Sequence, residues 1–227
     1  SRSDGLRLRI FMNSFFQLIA RHRVLASTLF LAVFPFIMPY EALAINILIF
    51  GLFAMGFNLL FGYMGLLSFG HAAFLGIGSY LTGIGIVHYG MPWGAAILVG
   101  IIGAAFGGLI MGYLAIRTRG IYFSMVTLAL GQIIYYIFYK AESLTGGENG
   151  LRGVRVDQFN IFGIPVDFLN PLTKYYIILF FVVIAIWLIS RILSSPLGAV
   201  MEAIRENEKR AAACGFDVAR TKLLVFV

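Results

Sequence analysis

The chain has 227 residues, of which 60% are apolar and only 12% are Asp, Glu, Lys or Arg. Soluble domains are about one quarter charged, so a soluble globule, a disordered chain and a collagen-like chain are all excluded. The net charge of +7 would suggest nucleic acid in a soluble protein; in a chain with mean hydropathy +0.92 it marks the flanks of membrane spans, and no nucleic-acid partner is expected.

Taken in chain order, residues 1–23 carry Arg2, Arg7, Arg9, Arg21 and Arg23 and read as a cytoplasmic tail. Apolar runs then predict crossings at 24–40, 42–61, 66–88, 93–116, 121–139 and 175–192. Positions 42–116 hold no charged residue, 75 in a row, which is room for three membrane helices at about 20 residues each. A seventh apolar run begins near Lys222 and the chain stops inside it at Val227, which predicts further spans. Arg21 and Arg23 before an apolar stretch, with Ala42-Leu43-Ala44 after it, resemble a cleaved signal peptide. The long preceding region and the second apolar run that follows at once favour a retained span.

Alternation from a cytoplasmic N-terminus puts 1–23, 117–119 and 191–222 inside, with 13 of the 17 bases. Lys140, Arg152, Arg155 and Lys174 fall outside. That asymmetry predicts a multi-pass protein with its N-terminus in the cytoplasm.

Within the crossings, 93–116 carries two GxxxG pairs, Gly103/Gly107 and Gly108/Gly112. Small residues at this spacing let helix backbones approach closely in lipid, either at an interface with another subunit or within this chain. Segment 62–88 has seven glycines along with Ser68, His71, Ser79 and Thr82. Such density weakens a helix, and irregular backbone at membrane depth persists only inside protein or beside a watery cavity. A broken or tightly enclosed helix beside a pathway is therefore expected, with Ser68, His71 and Ser79 as pathway candidates. The alternative for His71 is a packed structural residue.

The external loop 140–174 contains an Asn149-Gly150 turn signal. Gly153–Val156 and Phe159–Val166 could pair as short strands, in a docking surface or in a folded loop. Apart from Arg191 at the cytoplasmic edge of the last one, the crossings contain no carboxylate, lysine or arginine, so proton coupling through a buried titratable group is not expected. Neither a catalytic cluster nor a metal-ligand spacing appears, and the single Cys214 allows no internal disulfide. If this chain transports, its energy is expected from a cytoplasmic motor subunit.

Segment 191–222 is the most informative. Ser195 with Pro196 predicts a helix start. Leu197, Val200, Met201, Ile204, Ala211 and Ala212 recur at helical period, opposite Glu202, Arg205, Glu206, Lys209 and Arg210. Glu206 and Arg210 suit an i,i+4 pair, Gly215 suits a helix end, and Asp217 suits the cap of a second helix. Two helices meeting at a glycine could transmit force from a soluble domain, or could be a solvated connector.

Three stretches carry a family likeness: NLLFGYMGLLSFGHAAFLGIGSY at 58–80, TGGENGLRGV at 145–154, and PLGAVMEAIRENEKRAAACGFDVARTKLLVFV at 196–227. Together they resemble the permease subunits of bacterial high-affinity branched-chain amino-acid ABC importers, of the LivM type. The resemblance implies an all-α polytopic membrane helix bundle like the type II ABC importers, forming one permease domain over 1–227 in the bacterial inner membrane. It implies a second, LivH-type permease, two cytoplasmic ATPases and a periplasmic substrate-binding protein as partners, with ATP bound by those partners and no cofactor on this chain. It also implies that the cytoplasmic loop 193–221 is a coupling loop seated in the ATPase, with Glu206, Glu208, Arg210 and Gly215 facing it. One departure stands out: the general loop pattern would have Glu-Ala-Ala at 209–211, where this chain has Lys209-Arg210-Ala211.

The expected function is thus ATP-driven import of branched-chain, hydrophobic amino acids, the chain itself being no enzyme. Related subunits import urea or short amides, which is one alternative; an ATP-independent channel or facilitator is another. A membrane-embedded enzyme is disfavoured by the missing catalytic cluster.

Overall fold

The computed structural model describes residues 23–37, 40–154, 158–161, 164–167 and 170–227. The tail 1–22 lies outside the described residues. Among the described residues, ten α-helices follow in order: α1 Arg23–Ile37, α2 Glu41–Asn58, α3 Ala72–Val87, α4 Trp93–Ala115, α5 Ile121–Lys140, α6 Glu142–Thr145, α7 Pro171–Leu193, α8 Pro196–Glu206, α9 Glu208–Ala213 and α10 Val218–Phe226. A π-helix, Leu59–Tyr63, prolongs α2, and a short 3-10 turn spans Gly147–Asn149. Strands β1 Gln158–Ile161 and β2 Ile164–Asp167 pair antiparallel, Phe159 opposite Val166. This hairpin matches one of the two stretches expected to form strands; Gly153 and Val154 are not in a strand. The architecture is a helical, multi-pass membrane bundle.

Among the described residues, four helical segments are long and apolar enough to cross a membrane: Glu41–Tyr63, Trp93–Ala115, Ile121–Lys140 and Pro171–Leu193. The other two expected crossings are shorter. α1 has 15 residues and α3 has 16, which at 1.5 Å per residue gives α3 a length of about 24 Å. The expected span 66–88 therefore starts late: 65–71 is not regular helix, because its glycines favour other backbone conformations. The break lies wholly before Ala72, and beyond it α3 is regular despite four further glycines.

The described residues form two compact units. In the first, drawn from 1–50 and 169–191, one contact follows from a proline. Pro35 lies inside α1 and has no N–H for the carbonyl four residues earlier. The buried Tyr175 hydroxyl donates to that Leu31 carbonyl at 2.5 Å.

The second unit comprises 51–168 and 192–227. Here α3 packs along α4, and the glycine stripe of α4 makes this possible. A Cβ at Gly103 would strike Leu81, and one at Gly107 would sit 2.5 Å from Ile77 Cδ1. At Gly112 it would lie 2.8 Å from Phe226 and 2.9 Å from Leu223 of α10. Both GxxxG pairs are thus covered by this chain's own helices rather than left for another subunit. At one end of the unit, a buried core gathers Leu60, Met64, Met111, Ala115, Phe123 and Phe226 with Met201, Ile204 and Ala211. The last three come from α8 and α9, so the amphipathic segment is docked onto helix ends.

Candidate functional site

Two features of the second unit carry chemistry: the unwound stretch between α2 and α3, and the charged segment that grips its near end. The π-helix closes at Met64, and Gly65 takes φ +74°, a left-handed conformation that glycine adopts without a Cβ penalty. From there to His71 the backbone leaves the helical ladder, so its polar groups need other partners at membrane depth. α5 supplies them. Ser124 Oγ donates to the Leu67 carbonyl at 2.6 Å. The Phe69 N–H donates to Thr127 Oγ1 at 3.2 Å, and that hydroxyl donates onward to the Ser124 carbonyl at 2.9 Å. Contact is backbone to backbone: a Cβ at Gly131 would be 3.1 Å from Gly70 Cα, and one at Gly70 would strike the Thr127 carbonyl.

Beside this stretch lies a cavity of about 410 Å³, at the small end of the range for small-molecule sites. Phe69, Gly70 and Gly76 border it on one side, Gly131, Gln132 and Tyr135 of α5 on the other, and Gly147, Glu148 and Gly150 of the following turn line it as well. Tyr80 and Phe138, both in its wall, stack on each other with centroids 5.0 Å apart and planes 13° from parallel. The space offers aromatic walls, one amide and one carboxylate, a mixture suited to a small zwitterion with an apolar side chain.

None of the three expected pathway residues lines this cavity. Ser68 is 2% exposed, and its hydroxyl has no partner among the described residues. His71 sits among Phe53, Phe57 and Phe74, with ring centroids 5.4, 5.8 and 5.2 Å away. Its Nδ1 is buried without a hydrogen-bond partner among the described residues. Ser79 is exposed and its hydroxyl donates to the Gly76 carbonyl at 3.1 Å. The lining residues Gln132 and Tyr135 escaped the sequence reading, although an amide with tyrosines at 135, 136 and 139 in a lipid-length helix was a usable signal.

The far end of the cavity is closed by a folded turn. Thr145 is buried; the single proton of its hydroxyl is shared between the Phe138 carbonyl at 2.6 Å and the Ala141 carbonyl at 2.9 Å, and its oxygen accepts from the Gly147 N–H at 3.2 Å. Leu151 fills the space beside Gly83, and His88 Nε2 lies 3.1 Å from the Leu144 carbonyl. The Asn149-Gly150 signal corresponds to the end of the 3-10 turn, with Gly150 at φ +68°.

At the opposite end, the 191–222 segment differs from expectation in one respect. Asn207, at φ −158° and ψ 101°, breaks the helix between Glu206 and Arg210, and its side chain caps α9 by accepting from the Arg210 N–H at 3.0 Å. Glu206 and Arg210 therefore do not share a helix, and the i,i+4 pair is not formed. Three helices, not two, make up the segment. Ser195 begins α8 as expected, but its hydroxyl donates back to the Ile192 carbonyl at 2.6 Å instead of capping forward. Gly215 follows α9 at φ +90°, and Asp217 caps α10 through the Arg220 N–H at 3.0 Å.

Of the residues expected to face a motor, Glu206, Arg210 and Gly215 are exposed. Glu208 is engaged within the chain. Its carboxylate pairs with Lys222 Nζ at 2.9 Å and Arg119 at 3.4 Å, and the Lys222 side chain is only 4% exposed. Arg205, which sequence reasoning treated only as a charged-face residue, donates from Nη1 to the Gly62 carbonyl at 2.5 Å. Arg119, Gly62 and the 191–222 segment thus share one end of the unit, while His88, Leu144 and Leu151 share the other.

Comparison with known proteins agrees on a family. The profile described as "Branched-chain amino acid transport system / permease component" matches residues 40–227. The high-affinity branched-chain amino acid transport system permease protein LivM of Salmonella typhimurium is 32% identical over 199 residues, covering 79% of this chain and 47% of that protein. Its Escherichia coli namesake is 30% identical over 224 residues, covering 89% of this chain and 53% of that protein. The chain spans about half the length of the curated relatives it matches. No solved structure matches.

Proposed function

From the premise that this chain belongs to the family of branched-chain amino acid transport permease components, we propose that it is a permease subunit of an ATP-driven importer of branched-chain amino acids. In this reading it sits in the bacterial inner membrane with its N-terminus in the cytoplasm. A LivH-type permease pairs with it, two cytoplasmic ATPases bind and hydrolyse ATP, and a periplasmic binding protein delivers substrate. ATP closure moves the 193–221 loop, and the helices alternate access to the path.

The observation that carries the proposal is the build of residues 196–217. Met201, Ile204 and Ala211 anchor the segment in the core at the helix ends, while Glu202, Glu206, Lys209 and Arg210 stay exposed. An apolar underside with a free charged surface is what a motor contact requires, and a passive pore has no need of one. Glu206, Arg210 and Gly215 are the motor-facing residues, and Glu208 acts from beneath them. The cavity beside Phe69 and Gly70 serves as part of the substrate path.

The test is reconstitution of the full-length protein with its partners in proteoliposomes. Leucine uptake that requires ATP hydrolysis is expected, with urea and short amides failing to compete. Uptake without any ATPase would replace this reading with a facilitator; competition by urea would replace the substrate.

A further inference from the structure

We infer that Arg205 is a positioning residue that ties movement of the 193–221 loop to the unwound segment beside the cavity; this rests on the importer reading above. The argument begins with an orphan. Where a helix ends, its last carbonyls have no partner in the ladder. At the π-helix exit, the Leu66 N–H reaches back to Leu60 at 3.1 Å and the Gly65 N–H to Phe61 at 3.1 Å. The Gly62 carbonyl takes its hydrogen bond from the Arg205 guanidinium instead. A donor that carries charge makes a stronger bond than a neutral one.

The fit extends beyond that one bond. Arg205 Cγ lies 3.2 Å from where a Cβ on Gly65 would stand, so the side-chain stem rests on the residue that turns the chain out of the helix. One neighbour of Arg205 is the buried Ile204, which belongs to the same core as Leu60 and Met64. Displacing α8 therefore pulls on a carbonyl just upstream of Gly65–His71, whose far part, Phe69 and Gly70, borders the cavity. π-helical turns inside α-helices are local irregularities that recur at functional sites, and here one stands between the loop and the cavity.

The experiment compares the full-length protein, in complex with its ATPases in proteoliposomes, as wild type, Arg205→Ala and Arg205→Lys. Leucine uptake and ATP hydrolysis are read together, with assembly checked by size-exclusion chromatography. Arg205→Ala is expected to keep hydrolysis near wild type while leucine carried per ATP falls about tenfold, an ordinary size for coupling between sites. Arg205→Lys keeps one donor and is expected to restore much of the ratio. An unchanged ratio in Arg205→Ala would overturn the inference, as would a parallel loss of hydrolysis and uptake, which would make Arg205 a motor contact. Failure of both variants to assemble would also overturn it, by reducing Arg205 to a structural strut. Wild type without ATP-dependent uptake would instead sink the importer reading.

Discussion

At one end of the second unit, four charged side chains and one backbone carbonyl are engaged: Arg205 on the Gly62 carbonyl, and Glu208 between Lys222 and Arg119. At the other end, Thr145 satisfies three backbone groups with a single neutral hydroxyl, and glycines at 146, 147 and 150 set the turn. Both ends fasten loops to helices, but the first uses long side chains that reach across elements. The second relies chiefly on Thr145, which bonds within eight residues of itself, and its one longer link is the neutral contact of His88 with the Leu144 carbonyl. Long, charged links can lengthen, rotate and exchange partners as helices shift, whereas a turn held by its own backbone moves as a block. The contrast suits a machine driven from the first end and merely closed at the second.

The sharpest break of that contrast is Glu208→Ala. It leaves Lys222, almost wholly buried, without its carboxylate, and should destabilise the protein by about 3 kcal/mol, near the lower end for broken buried pairs because Glu208 is itself partly exposed. Thermal unfolding in detergent measures this; a cost no larger than at Thr145 would erase the difference between the ends. Gly70→Ala comes next. Its Cβ meets the Thr127 carbonyl and lies 2.9 Å from Met111 Cε, and overpacking of this kind costs about 2 kcal/mol. It should also slow leucine uptake, because the displaced stretch borders the cavity; unaltered stability would mean that α5 does not grip this segment so closely.

Thr145→Val keeps the shape and removes the hydroxyl, so about 1–2 kcal/mol of stability should go, with uptake per ATP unchanged. A fall in that ratio would show that the far end also takes part in coupling. The smallest effect is expected at Arg119→Gln. Its side chain is 68% exposed, and such a pair contributes at most about 1 kcal/mol, screened by salt. A larger loss would move Arg119 into the same class as Lys222.

Much of the architecture was legible from local pattern. The long apolar runs, the end of a helix at Gly215 and the cap at Asp217 each depend on nearby residues only. The break near 62–88 was legible too, because glycine density alone weakens a helix, though not its confinement before Ala72. The Glu206–Arg210 pair failed because Asn207 offers its own side chain to the Arg210 N–H, a local competition that helical periodicity overlooks. The candidate site was less legible: Ser68, His71 and Ser79 were chosen for polarity within a glycine-rich run, and only packing revealed that their neighbours Phe69, Gly70, Gly76 and Tyr80 line the cavity.

By itself the sequence determined that this is a multi-pass helical membrane protein with an amphipathic charged segment, since burial in lipid and helical period are read along the chain. Tertiary structure decided which glycines face which helix, that Glu208 spends its charge on Lys222 and Arg119, and that Arg205 holds the Gly62 carbonyl. Those choices join residues as far as 143 positions apart. A contact at that separation depends on how the helices pack, and no local propensity encodes it.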